Sequence, residues 1–443
     1  MNNTQIKNLS SATTKITKLW LILAVAALAI AGLFSLPPVV LRGPFFADKF
    51  DVEHIFATSL VIHVDQSVII WMTAIAAALW TLFIGNNYQR LNKILLYIAA
   101  LGTLLIALSP FIEHSNPIKN NYVPVLDNIS FFIGLGLFAL AIFSMSVLVL
   151  LKYQNVKGGD AISFGLYAGA FITVISFICF AIAYIQLPEI SEVGTHQYYE
   201  LLFWGGGHIL QYVFTTILLS VWLLLGNACG NSCPIGDKYL KLLFLFYVFA
   251  VLPAPLFYIF SDTIYDTITI FADHMRYFMG LPAALIGISL LFKIFKKSEN
   301  FLLKSVMVLS ILLFGYGGVL AFMISGTNVT IPAHYHGSIV GITLAFMGLC
   351  YYYFPKLGGA EFRGRFVNSQ PYIYGVGQFC HITGLAWMGG YGALRKAPGT
   401  IASVDSIAAK SMFFLGGSLA IVGGLMFVII MIKNIYFSNV KKP

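Results

Sequence analysis

The triplet His334-Tyr335-His336 combines residue types and a spacing that point to cofactor chemistry. It lies at the start of a long apolar run, IPAHYHGSIVGITLAFMGLCYYYFPKLGG. An ionisable side chain in hydrocarbon is costly and is usually functional. Because side chains two positions apart on a helix point to different faces, the two imidazoles cannot easily hold one metal ion together. They can instead serve two cofactors on either side of one helix, which is the arrangement of a diheme protein.

Two further histidines, His63 and His208, also lie inside long apolar runs. Imidazole is the usual axial ligand of haem iron. A pair of imidazoles makes a six-coordinate, electron-transferring haem, whereas a single imidazole leaves the sixth position open for a gas. Helix packing explains any one of these histidines alone. Four of them in apolar runs, two within one triplet, favour a role as ligands.

The elements that must position these histidines are membrane-spanning helices. The chain is 59% hydrophobic and 10% charged, whereas a soluble domain is about 25% charged. Only helices satisfy their own backbone groups in lipid within one segment. Apolar runs of spanning length occur at about 19–41, 57–85, 93–110, 130–152, 161–187, 200–226, 239–260, 277–295, 301–325, 331–354, 371–394 and 411–434.

The predicted fold is therefore an all-α polytopic membrane protein with twelve transmembrane helices. Residues 1–18 form a cytoplasmic N-terminal tail, residues 19–434 a single haem-binding transmembrane domain, and residues 435–443 a cytoplasmic C-terminal tail. Of the 26 Lys and Arg residues, 19 fall on the side of the two termini and seven on the opposite side. The positive-inside rule then places both termini in the cytoplasm.

This orientation puts His63, His208, His334 and His336 in the outer half of the membrane. The polar, basic start of the chain lacks the pattern of a cleavable signal, which favours the inner membrane of a bacterium. The basic residues lie in membrane loops rather than in one patch, so the sequence pI of about 9.1 does not indicate nucleic-acid binding.

Arg395-Lys396 follows the eleventh predicted helix, in an outer loop that the positive-inside rule keeps poor in cations. Two explanations are open. Either the pair snorkels at the membrane interface, or it binds the outward-facing propionates of a haem, which Arg can pair bidentately. We favour the second.

These features together resemble the catalytic subunit of the haem-copper oxidase superfamily, subunit I of cytochrome c oxidase. The resemblance covers nearly the whole chain: twelve spans, both termini inside, and histidines on helices 2, 6 and 10 in order. Its most specific part is AHYHGSIVGITLAFMGLCYYYFPKLGG, which is similar to helix 10 of that family. The resemblance implies that His334 is the proximal ligand of a high-spin, gas-binding haem. It implies that His336 and His63 are the two ligands of a low-spin haem.

Two other segments carry the resemblance further. WGGGHILQY in helix 6 matches the family pattern of a His followed four residues later by a Tyr. By that match His208 is a copper ligand, and Tyr212 is either the tyrosine that donates an electron and a proton during O–O cleavage or a packing residue. GQFCHITGLAWMGGYGALRK resembles helix 11, with His381, Arg395 and Lys396 in the positions that contact haem.

The second metal site departs from the family. The family has a His-His pair after helix 7, and this sequence has none. Motif similarity points to Asp273-His274, with Asp in place of the first His. Spacing to helix 8 points instead to Phe257-Tyr258. Copper(II) accepts imidazole readily, and a carboxylate would favour a harder metal such as iron.

The proton route departs as well. Leu210 stands where common oxidases of the family carry a glutamate, and the inner loop 86–93 holds no acidic residue. We interpret Lys293 as one of the basic residues that are common on the cytoplasmic side of membrane proteins, rather than as a lysine at the entrance of a proton path. Proton pumping is therefore not expected.

Three functions follow as hypotheses. The first is a respiratory terminal reductase that converts O2 to water. The second is a nitric oxide reductase that joins two NO into N2O at an altered metal site. The third, more remote, is a non-enzymatic diheme electron-transfer protein. The sequence has no CxxCH motif, so electrons must come from an outer-face donor, a cytochrome c or a cytochrome subunit. The other expected partners are accessory subunits, a small gas substrate and membrane lipid. No nucleic-acid partner is expected.

Overall fold

The computed structural model describes residues 9–41, 52–293, 298, 300–324, 328–393 and 405–437. This part of the chain is almost entirely helical. Its twelve long helices are α1 Ser11–Val40, α2 Val52–Ile84, α3 Gln89–Ile112, α4 Ile129–Leu150, α5 Ala161–Gln186, α6 Thr195–Ala228, α7 Asp237–Phe260, α8 Asp266–Leu291, α9 Phe301–Ala321, α10 Thr330–Lys356, α11 Arg365–Gly390 and α12 Ile407–Phe437.

Several of these helices contain a local change of geometry. Helix α2 runs as Val52–Val64, a π-helical turn Asp65–Ile70, and Trp71–Ile84. Helix α7 is divided into Asp237–Val251 and Ala254–Phe260, and α8 into Asp266–Phe278 and Gly280–Leu291. Short helical turns occur at Gln154–Lys157 and Ile190–Val193.

Eleven helices of the described chain are long and apolar enough to cross a membrane. The remaining long helix, α11, has 26 residues and is not among the eleven. The predicted fold class, an all-helical polytopic membrane protein, is confirmed. The count of twelve spans and the cytoplasmic position of the termini stay predictions.

A small antiparallel hairpin connects α3 to α4. Strand β1, Pro117–Ile118, pairs with strand β2, Val125–Leu126. The turn between them is closed by Asn120, whose side-chain oxygen accepts hydrogen bonds from the backbone N–H groups of Tyr122, at 3.2 Å, and Val123, at 2.9 Å. Asparagine favours such turns because its side chain can bond to the backbone a few residues ahead. The hairpin therefore fixes the position of Tyr122.

The chain divides into two compact units. The first consists of the chain up to Ala31 together with Ala57–Ser220 and Pro234–Ile286. In it, the buried Asn92 of α3 accepts from the indole N–H of Trp20 in α1, at 2.9 Å, and donates to the hydroxyl of Thr81 in α2, at 3.0 Å. This polar link holds three helices in register.

The second unit consists of Gly32–Phe56, Val221–Cys233 and the chain from Gly287. Here α9 packs against α10, and α11 against α12. Helices α9 and α10 approach closely at Gly317. A Cβ placed on Gly317 would lie 2.7 Å from the carbonyl carbon of Gly337 and would overlap the backbone nitrogen of Ser338. Only glycine allows this approach, and it brings the Gly317 carbonyl to α10.

The π-helical turn of α2 holds a buried carboxylate. Asp65 is fully buried, and neither of its oxygens has a hydrogen-bond partner among the described residues. The neighbouring Gln66 donates from its side chain to the carbonyl of Thr103 at 3.1 Å. An unpaired buried carboxylate is costly, and π-turns occur often at functional sites. This turn begins two residues after His63.

Candidate functional site

Three of the predicted haem ligands share one ring orientation. In each, Nδ1 faces a backbone carbonyl oxygen, which can only accept a hydrogen bond. Nδ1 therefore carries the proton, and Nε2 has the lone pair that binds a metal. Ligating histidines usually donate their other ring N–H in this way. The pairs are His63 with Ala31 at 2.9 Å, His334 with Gly317 at 2.7 Å, and His336 with Pro332 at 2.7 Å.

These residues fit the chemistry of a haem site. The histidine orientations are fixed by the main chain and agree with what an axial ligand requires. His63 belongs to the first unit, whereas His334 and His336 belong to the second. The assignment of His63 and His336 to a low-spin haem, and of His334 to a haem that is open to a gas, stays a prediction.

His381 lies beside His336 in the second unit. Its Nδ1 donates to the carbonyl of Phe413 at 3.0 Å, and its ring stacks on the Phe413 ring with centroids 4.5 Å apart. The His381 and His336 rings have centroids 5.6 Å apart. The structure thus brings His381 next to a predicted haem ligand. Arg395 and Lys396 lie outside the described residues.

His208 is engaged at both ring nitrogens. Its Nδ1 donates to the carbonyl of Trp204, one turn earlier on α6, at 2.8 Å. Its Nε2, which then has the lone pair, lies 2.8 Å from the hydroxyl of Tyr122. His208 is only 2% exposed. The nitrogen that would face a metal accepts a hydrogen bond from a tyrosine.

His274 has the opposite ring orientation. Its Nε2 donates to the carbonyl of Ala250 at 2.8 Å, near the end of a helical segment where carbonyls lack helical partners. Its Nδ1 lies 3.4 Å from the hydroxyl of the fully buried Tyr212. His274 therefore joins Tyr212, whereas Asp273 is exposed and pairs with Arg276 at 3.5 Å.

The two alternatives for the family's His-His pair meet in one aromatic cluster of the first unit. The Phe257 ring lies 5.3 Å from the His274 ring and 5.2 Å from the Phe271 ring, and Tyr258 lies 5.3 Å from Phe271, all between centroids. Among the described residues, no group of three His, Cys, Asp or Glu could hold a metal ion. The residues present do not fit a three-ligand copper or non-haem iron site.

Tyr122 and Glu200 were not expected from the sequence. Glu200, near the start of α6, accepts from the backbone N–H of Asn121 at 3.1 Å and from the Asn121 side chain. A signal for Tyr122 exists in the glycine run before His208. A Cβ on Gly207 would overlap the Tyr122 side chain, so glycine is needed there for the loop to approach α6.

A family described as "Cytochrome C and Quinol oxidase polypeptide I" matches residues 15–425. An uncharacterized protein of Rickettsia prowazekii (strain Madrid E) is 32% identical, over 94% of this chain and 95% of that protein. An uncharacterized protein of Aquifex aeolicus (strain VF5) is 30% identical, over 80% of this chain and 88% of that protein.

Among solved structures, a heme-copper terminal oxidase dimer determined by cryo-EM matches with a TM-score of 0.75. The match covers 98% of this chain and 85% of that chain, at 17% sequence identity. At this identity the likeness concerns the fold.

Proposed function

The chain belongs to the family of cytochrome c and quinol oxidase polypeptide I, and from this premise we propose that it is the catalytic subunit of a respiratory terminal reductase that reduces O2 to water. Members of this family are membrane oxidoreductases with haems and a second metal, copper or iron. Electrons would pass through a low-spin haem to a high-spin haem. Since the second-metal ligands do not fit here, no step is assigned to that metal.

The observation that supports this proposal is the shared orientation of His63, His334 and His336. Each imidazole donates from Nδ1 to a main-chain carbonyl, which puts the lone pair on Nε2, as in the tautomer that binds iron. The haems supply electron transfer and an iron that binds the gas. The chain supplies a fixed ligand direction, which keeps reorganisation small during electron transfer.

Tyr212 is the proposed donor of an electron and a proton. Its hydroxyl lies between the Nδ1 lone pair and the backbone carbonyl of His274, both at 3.4 Å. When the phenol gives an electron to the O2 that is being reduced, its proton can pass to His274 Nδ1. The hydroxyl proton thus has a defined acceptor inside a buried aromatic cluster.

A second candidate function is reduction of NO. Joining two NO molecules takes two electrons and two protons and yields N2O and water, without a tyrosine donor. Within the part of the chain that the structure describes, no three-ligand metal site occurs, which favours a reaction that tolerates changes at that position. The third candidate, electron transfer without turnover, is favoured under the alternative in which Phe257 and Tyr258, rather than Asp273 and His274, stand at the family's ligand positions.

The test uses the purified full chain in detergent with a reduced electron donor, in oxygen and nitric oxide electrodes, together with a carbon monoxide difference spectrum. We expect CO binding and O2 consumption, both lost in His334→Ala. His196→Ala, at an exposed position on α6, serves as the control and keeps both. Consumption of NO alone would replace the first candidate by the second. A low-spin spectrum without CO binding or turnover would leave the third.

The proposed setting is the inner membrane of a bacterium, with both termini in the cytoplasm. Electrons would come from a cytochrome c or a cytochrome subunit docking on the outer face, because the sequence has no CxxCH motif for a covalent haem of its own. Accessory subunits of the family type are part of this proposal.

A further inference from the structure

The hydrogen bond between Tyr122 and His208 has a defined direction. The carbonyl of Trp204 accepts from His208 Nδ1, so the neutral ring has its lone pair on Nε2. The Tyr122 hydroxyl, 2.8 Å away, is therefore the donor. A metal ion at His208 would need the same lone pair.

Tyr122 is held in this position by several independent contacts. Asn121, its neighbour, is bound to Glu200 through both its backbone and its side chain. The Tyr122 ring meets the Trp204 ring edge to face at 5.5 Å and the His208 ring at 4.5 Å. Gly207 leaves the room that the ring needs. Displacing the phenol would disturb the ring contacts with Trp204 and His208.

The surroundings of the pair also disfavour a cation. The ring neighbours of His208 are Tyr122, Trp204 and Phe271, all uncharged. The carboxylate of Glu200 is engaged by Asn121. Among the described residues, the ring neighbours of His208 carry no charge that would compensate a buried divalent ion, and such an ion is expensive in a low-dielectric interior.

We propose that the Tyr122–His208 pair replaces the second metal of the family, so that His208 orients the loop of residues 113–128 instead of binding copper or iron. This inference rests on the proposed function, because a second metal would matter for gas reduction. The Tyr122 hydroxyl donates a hydrogen bond to the His208 nitrogen that would otherwise bind the metal. The histidine of helix 6 is therefore present, but it holds no metal.

The first part of the experiment measures haem, copper and non-haem iron in the purified full chain and in His208→Ala. We expect two haems per chain and less than about one tenth of an equivalent of any second metal in both proteins. Stoichiometric copper or non-haem iron that is lost in His208→Ala would overturn the inference and leave the proposed function standing. Absence of haem would count against the proposed function alone, because the second part does not depend on haem.

The second part follows hydrogen exchange in the peptide that covers residues 116–127. Tyr122→Phe and His208→Ala should each speed exchange there by about three- to tenfold, as expected for loss of one buried hydrogen bond. The double variant should be no faster than either single one, since both remove the same bond. Gly207→Ala should give a similar acceleration without removing either polar group.

The matched control is Tyr198→Phe, on the same helix, whose ring meets the Tyr199 ring edge to face. It should leave exchange in the loop unchanged. If Tyr122→Phe behaves like this control, the pair does not hold the loop and the inference fails. Should His208→Ala not fold, Tyr122→Phe and Gly207→Ala still decide this part.

Discussion

At the scale of single residues, the histidines differ in what the lone-pair nitrogen of each ring faces. In the three candidate haem ligands that nitrogen is Nε2, because Nδ1 donates to a backbone carbonyl. In His208 the Nε2 lone pair accepts from Tyr122. In His274 the lone pair is on Nδ1 and faces Tyr212. His208 therefore has the same tautomer as the three candidate iron ligands, and His274 has the other one. His208 and His274 belong to hydrogen-bonded pairs because a tyrosine hydroxyl lies beside the lone pair of each.

Replacing Tyr212 by Phe tests its role as an electron and proton donor. The polar contacts of the hydroxyl with described residues are long, at 3.4 Å, so the free energy of unfolding should fall by less than about 1 kcal/mol. O2 turnover should fall by about 100-fold, the usual contribution of a positioned proton donor. Oxygen electrode rates and the CO difference spectrum measure the two effects separately, and CO binding should be unchanged.

Tyr247→Phe is the matched control for this prediction. The Tyr247 ring contacts the Tyr212 ring edge to face at 5.6 Å, and its hydroxyl donates to the carbonyl of Met279 at 2.6 Å. Its removal should cost about 1 kcal/mol of stability and leave turnover nearly intact. Equal turnover losses in both variants would mean that Tyr212 acts only through packing.

The sequence alone was enough to select His63, His334 and His336 as candidate haem ligands, because few ionisable groups are tolerated in lipid. Asp273 and His274 could not be separated in the same way. One of the two is exposed and the other buried, which depends on how α8 packs. Tyr122 was missed because its partner is 86 positions away along the chain. The glycine run before His208 indicates a close approach to α6 but does not identify the residue that approaches.

At the scale of elements, hydropathy located the helices well where they are apolar on all sides. The predicted span 57–85 corresponds to α2, Val52–Ile84, and 161–187 to α5, Ala161–Gln186. Helix α8 begins at Asp266 and not near residue 277, because its first segment is amphipathic. The buried Phe271 and His274 alternate there with exposed charges. The hairpin and the π-helical turn have no hydropathy signal and were not predicted.

Gly317→Ala tests how the packing of two helices positions a haem ligand. The added methyl group would meet the backbone of α10 at Gly337 and push α9 away, which removes the carbonyl that accepts from His334. We expect a stability loss of about 1–3 kcal/mol and loss of CO binding. Thermal unfolding in detergent and the CO difference spectrum measure these effects.

The neighbouring variant Gly318→Ala provides the comparison, since a Cβ there meets no atom within 4 Å. It should keep CO binding and a melting temperature at least equal to that of the parent protein, because alanine favours helix over glycine. An unchanged CO spectrum in Gly317→Ala would show that the close approach of α9 does not orient His334.

At the scale of the whole molecule, the family fold is retained although the ligand set of the second metal is altered. Fold and chemistry separate here because the fold depends on many apolar helix contacts, whereas a metal site depends on a few side chains. The sequence could predict the first from composition and span length. For the second-metal ligands, the sequence left two alternatives, Asp273-His274 and Phe257-Tyr258. No periodicity in the sequence distinguishes between them.

The predicted orientation can be tested with topology reporters. Since 19 of the 26 Lys and Arg residues lie on the side of the termini, both termini should be cytoplasmic. A green fluorescent protein fused to either end should fluoresce, and an alkaline phosphatase fused after Glu192, between α5 and α6, should be active. Phosphatase activity at a terminus would show that the orientation is the opposite of the predicted one. The candidate ligands would then lie near the inner surface of the membrane.

The carbonyl partners of the three candidate haem ligands bear on how this protein can change during evolution. Ala31, Gly317 and Pro332 contribute only a main-chain oxygen to the imidazole. Every amino acid supplies that oxygen, so drift in side-chain identity at Ala31 leaves the acceptor in place. Relatives can therefore preserve the ligand geometry while differing at such a position. A survey that looks only for invariant residues would find the histidines and overlook half of what orients them.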